Sequence, residues 1–125
     1  MREVTTDGAP ALDGLPISQA IVHGDTVYTS GIVPRDPDTG DLLNGDMTAQ
    51  AEQVMANLEA ILEAAGSSLD RVLKATVFLV DVEDRPAFNA VYADRLGEPY
   101  PARSAVGVDL AVETGVEMEC VAALE

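Results

Sequence analysis

The segment Pro101-Ala-Arg-Ser-Ala-Val-Gly-Val108 sets a guanidinium, Arg103, at the start of a strand that is otherwise small or apolar. Arg103 is one of only seven Lys and Arg residues in 125, against 22 Asp and Glu. An arginine presents a rigid fork of N–H donors that matches a carboxylate through two parallel hydrogen bonds. The residue therefore reads as a holder of the carboxylate of a small organic acid. The other reading is an ion pair with one of the chain's own acids, which would be worth little at a surface.

Other candidates for chemistry are few. The one cysteine, Cys120, cannot form an internal disulfide or hold a metal alone. The one histidine, His23, falls in the turn-like His23-Gly24-Asp25 and reads as structural. No metal site and no cofactor are expected.

The elements that must position Arg103 follow from periodicity. Residues 1–15 read as an irregular lead-in, and Ile17–Val22 and Thr26–Ser30 as a hairpin. Gly31 to Gly45, rich in Pro, Asp and Gly, reads as a long loop. Met47, Ala51, Val54, Met55, Leu58, Ile61, Leu62 and Ala65 recur at helical spacing, with Asp46 as N-cap and Gly66 as C-terminal stop. Arg71 to Val80 is apolar on both faces and reads as a central strand, with Leu73, Ala75, Val77 and Leu79 on one of them. A second helix starts near Asp84, tolerates Pro86 in its first turn and ends at Gly97, its Tyr92 serving as packing. Strands Ala102–Leu110 and Val116–Leu124, joined by a turn at Thr114-Gly115, complete an order ββαβαββ.

Both helices pack most simply on one sheet face. Alternation then assigns Val116, Met118, Cys120 and Ala122 to the helix side, with Val106, Val108 and Leu110. Arg103, Ala105, Gly107, Glu117 and Glu119 are left on the open face. A half-apolar open face on a domain this small calls for a closed oligomer, with Arg103 and Glu119 in a cleft between subunits.

Length and composition fit one domain, 1–125, with an aliphatic core. No apolar run approaches the roughly 18–20 residues of a membrane helix, and the N-terminus lacks a signal-peptide pattern. A cytoplasmic location with no membrane partner is expected. The net charge of −15, spread along the chain, suits an acidic coat adapted to high salt, although an acidic mesophilic protein is the plainer alternative. With no basic cluster, nucleic acid is not an expected partner.

Ser18-Gln19-Ala20 after Pro16, Thr29-Ser30-Gly31, the helix from Gln50 to Gly66, Lys74-Ala75-Thr76-Val77-Phe78, Asn89-Ala90-Val91-Tyr92, Pro101-Ala102-Arg103-Ser104 and Val116-Glu117-Met118-Glu119 occur in order along nearly the whole chain. In that order and spacing they resemble the YjgF/RidA family of reactive enamine/imine deaminases. The resemblance implies a chorismate-mutase-like α+β fold and a homotrimer whose three sheets form a barrel with intersubunit clefts. It also implies hydrolysis of 2-aminoacrylate and related 2-imino acids to 2-keto acids and ammonia, without a cofactor. It assigns Arg103 to the substrate carboxylate, backbone groups of Gly31 and Ala105 to substrate contacts, and Glu119 to positioning water or moving a proton. Asn89 and Tyr92 match the family's helix motif; Asn89 joins the binding set, and Tyr92 is read mainly as packing. Ile17 stands where relatives often carry Tyr, and Ala105 where they often carry Cys or Thr. The loss of the tyrosine hydroxyl leaves a second reading open, a trimer that binds small carboxylates without turnover.

Overall fold

A computed structural model describes residues 1–124. Six strands form one sheet: β1 Arg2–Val4, β2 Ala20–His23, β3 Thr26–Thr29, β4 Val72–Leu79, β5 Ala102–Gly107 and β6 Val116–Ala123. Helices α1 Met47–Ala65 and α2 Arg85–Leu96 complete the α+β fold. The spatial order is β1-β2-β3-β6-β4-β5. All neighbours are antiparallel except β4 and β5, which α2 connects as a parallel crossover.

Local chemistry accounts for the element ends. The side chain of Asp46 accepts from the Ala49 amide at 2.9 Å, and Gly66 closes α1 in the left-handed region at φ 94°. The β2–β3 hairpin turns through Gly24-Asp25, where Gly24 takes φ 60° without a Cβ penalty. The apolar stripe of α1 packs with Val77, Leu79, Val116, Met118 and Ala122 in one aliphatic core.

Four sequence-based expectations are corrected. Residues 1–15 are not wholly irregular: β1 adds to the hairpin edge through Arg2↔Val22 and Val4↔Ala20. The buried Gln19 pins the following segment, accepting from the Thr6 amide at 2.8 Å and donating to the Pro10 carbonyl at 3.0 Å. Leu73 does not share a buried face with Ala75. The register slips between Val72 and Lys74, so a bulge turns Val72 into the core and leaves Leu73 53% exposed. The strand expected over Ala102–Leu110 ends at Gly107, and β4 lies between it and β6, which leaves β5 at an edge.

The fourth correction bears on function. Pairing sets Arg103 beside Ala75, Ala105 beside Val77 and Gly107 beside Leu79. Ala75, Val77 and Leu79 are core residues under the helices. Arg103 and Ala105 therefore lie on the helix side, and Val106, 40% exposed, lies on the open face. Hydrophobicity set the phase of this strand wrongly because β5 is an edge strand with little cover: Ala105 and Gly107 are exposed even on the helix side.

On β6 the expected alternation holds. Val116, Met118, Cys120 and Ala122 are buried, while Glu117 and Val121 are half-buried and Glu119 is exposed on the other face. Cys120 is a core residue, and burial pushes its thiol up to about 11, which favours the protonated form. No helix among the described residues is long and apolar enough to cross a membrane.

Candidate functional site

Arg103 is the centre of the site. Its Nη1 donates to Asn89 Oδ1 of α2 at 2.8 Å. Its guanidinium carbon stands 4.7 Å from the centre of the Tyr92 ring, one helical turn further on. Among the described residues no carboxylate pairs with it; the ion pairs there belong to Arg95, with Glu52 at 2.8 Å and Glu59 at 3.5 Å. In so acidic a chain an arginine free of acid partners removes the internal ion pair as its explanation. The guanidinium keeps its charge and most of its N–H donors for something else. It borders a cleft of about 290 Å³ lined by Asn89, Tyr92, Ala93, Tyr100, Pro101 and Arg103. Ala105, two residues further along β5, lies at the free edge of the sheet.

A second group of candidates gathers elsewhere. Ser30 ties the chain ahead of β2 to the end of β3: its amide donates to the Gln19 carbonyl at 3.0 Å and its hydroxyl donates to the Ser18 carbonyl. Ile17 and Gly31 adjoin the two segments tied in this way, and Ile17, half exposed, lines a hollow of about 600 Å³ under the N-terminal segment. Gly31 abuts Glu117 so closely that a Cβ would overlap the carboxylate. Burial raises the Glu117 pKa above the ordinary carboxylate range, and the neighbouring charge of Glu119 adds to it. Glu119 itself pairs across to Thr76 on the open face and is exposed.

The expected residues thus fall into two halves. Arg103, Asn89 and Ala105 form one; Ile17, Gly31 and the β6 carboxylates form the other. Strand β4 separates β6 from β5, a span of roughly 10 Å, and Arg103 and Glu119 project from opposite faces of the sheet. One chain cannot set both on the same small molecule, contrary to the shared face expected from alternation.

Two residues named in the sequence reading were given no site role there. Glu117 is the carboxylate against Gly31; its spacing from Glu119 was visible, but only the fold distinguishes a half-buried acid from an exposed one. Tyr92 is the surface on which Arg103 lies, and the spacing of Asn89 and Tyr92, three apart on a helix, was the available signal.

The fold and site together define a small α+β domain with Arg103 on its edge strand, held by Asn89 and paired with no carboxylate among the described residues. A family model described as Endoribonuclease L-PSP matches residues 11–124. A RutC family protein of Pyrococcus horikoshii is 46% identical over 124 residues, covering 98% of each chain. A 2-iminobutanoate/2-iminopropanoate deaminase of Capra hircus is 40% identical over 122 residues, covering 97% of this chain and 88% of its own. The crystal structure of RidA from the Antarctic bacterium Psychrobacter sp. superposes with a TM-score of 0.92 at 46% identity, over 98% of this chain and 99% of the other. The chain belongs to the YjgF/RidA family.

Proposed function

We propose that this protein hydrolyses 2-imino acids, the tautomers of enamines such as 2-aminoacrylate, to 2-keto acids and ammonia. The observation that carries the reading is Arg103, charged, fixed by Asn89 and free of any carboxylate among the described residues. The name of the caprine relative supports the same chemistry.

An iminium carbon is already electrophilic, so the protein need only orient it and move protons. Arg103 takes the substrate carboxylate in a forked pair, with the backbone of Ala105 at hand beside it. Water adds to the imine carbon, and its oxygen gives up a proton as the C–O bond forms. The nitrogen of the iminium adduct gains that proton and leaves as ammonia while the C–N bond breaks, and the hydroxyl releases its remaining proton to solvent as the carbonyl forms. A carboxyl group that alternately accepts and donates this proton serves both halves of the step.

The two halves meet when one copy faces another. In this reading the chain is a homotrimer, and each site takes Arg103, Asn89 and Ala105 from one copy and Ile17, Gly31 and a β6 carboxylate from the next. The half-exposed apolar residues Tyr28 and Val106 on the open face support such an assembly. Of the two carboxylates, Glu117 suits proton transfer better than Glu119: its burial brings its pKa nearer to neutral pH.

A second reading, binding of 2-keto acids without turnover, is favoured by Ile17, whose aliphatic side chain supplies no hydroxyl to hold water or substrate. A nuclease reading is disfavoured by the −15 charge, which repels phosphates.

The test generates 2-aminoacrylate in situ with a serine dehydratase, at high and low salt, and follows pyruvate release. Faster release on adding the protein is the expected result. A folded protein that binds pyruvate yet leaves the rate unchanged in both salts would select the binding reading.

A further inference from the structure

We infer that Tyr92 is the positioning residue for Arg103: its ring is a platform that holds the guanidinium flat and leaves its N–H fork free for a carboxylate. The inference rests on the carboxylate-holding role proposed for Arg103.

Sequence periodicity assigns Tyr92 to packing, and the residue is indeed buried. Packing alone does not explain why the Arg103 guanidinium lies over the Tyr92 ring, 4.7 Å from its centre.

The ring is itself held. Phe88, one turn earlier and fully buried, meets it at 5.9 Å with the planes tilted by 42°. Asn89, on the same helix, accepts one N–H of Arg103 at 2.8 Å. Helix α2 therefore grips the guanidinium in two ways: an amide oxygen engages one N–H and a ring lies within cation–π reach of the cation. The choice of groups matters. A carboxylate in place of the ring would occupy the fork and neutralise the charge. A π face attracts the cation and consumes no N–H. Such an arginine is immobilised yet still able to receive an anion, the preorganisation that carboxylate capture at a sheet edge requires.

The experiment uses the whole protein and two readouts. The first is NMR of the Arg103 side-chain N–H groups, assigned by their loss in Arg103→Ala, in wild type, Tyr92→Phe and Tyr92→Leu. Tyr92→Met, of similar volume but unbranched and more adaptable, and also without a π face, replaces the Leu variant if that fails to fold. The second is titration with pyruvate. The platform predicts ring-shifted Arg103 signals in wild type and Tyr92→Phe and their collapse in the aliphatic variant. It also predicts that pyruvate affinity is kept in Tyr92→Phe and lowered about tenfold in the aliphatic variant, with no further loss when Arg103 is already alanine. Unshifted Arg103 signals in wild type overturn the proposal, as does an aliphatic variant that is folded and unchanged in those signals. Signals that depend on the ring, in a protein that binds no pyruvate, uphold the platform and overturn only the carboxylate role.

Discussion

Arg103→Ala is expected to abolish imine hydrolysis while leaving the fold intact. Two charge-assisted hydrogen bonds to the substrate carboxylate are worth about 1.5–3 kcal/mol each. Their loss lowers kcat/KM by about 10²–10⁴ at 1.36 kcal/mol per decade. The fold tolerates the change because Arg103 sits on the edge strand, half-exposed, and its hydrogen bond is to Asn89, itself only half-buried. Arg103→Lys keeps a charge but not the planar fork, so it falls between the two. Steady-state kinetics beside a thermal melt check this. A variant that melts like wild type and retains full kcat/KM would remove Arg103 from the chemistry.

The second large effect distinguishes two acids on one strand. Glu117→Gln keeps the shape against Gly31 and removes the proton-transfer group, and is expected to cost about 10²–10⁴ in kcat. Glu119→Gln, at an exposed position, should stay within about threefold of wild type. The pH profile adds a sign. The Glu117 pKa is raised by burial, so a limb above the ordinary carboxylate range should be present in wild type and absent in Glu117→Gln. A large loss in Glu119→Gln with little in Glu117→Gln would return the role to the acid that family resemblance selects.

How much of this the sequence carried depended on whether local rules were enough. Helix α1 was legible because its stripe, its Asp46 cap and its Gly66 stop all act within the segment. The hairpin was legible because only a residue like Gly24 takes the φ the turn requires. Arg103 stood out by type against an acidic background. Its direction did not, because the face of an edge strand is set by pairing with β4, and the apolar Val106 and Val108 suggested the opposite phase. The bulge at Leu73 was hidden for a similar reason: nothing in Val72-Leu73-Lys74 says which residue the ladder omits. The buried Asn57 was hidden as well. It donates to the Val33 and Arg35 carbonyls at 3.2 and 2.9 Å and fastens the 31–45 loop to α1, a partnership that exists only once the loop lies there. The division of the site into two halves follows from strand order, which no motif spells out.

That division is the centre of the account: Arg103 of one copy and a β6 carboxylate of another close one site. The direct measurement mixes two inactive chains, Arg103→Ala and whichever of Glu117→Gln or Glu119→Gln is inactive, by unfolding and refolding them together. Each intact site then needs its arginine and its acid from different chains. Random assembly at equal amounts should restore about a quarter of the wild-type rate, from components that alone show almost none. Hybrid oligomers that form but stay as inactive as their parents would contradict the account, since the two groups would then not meet across copies.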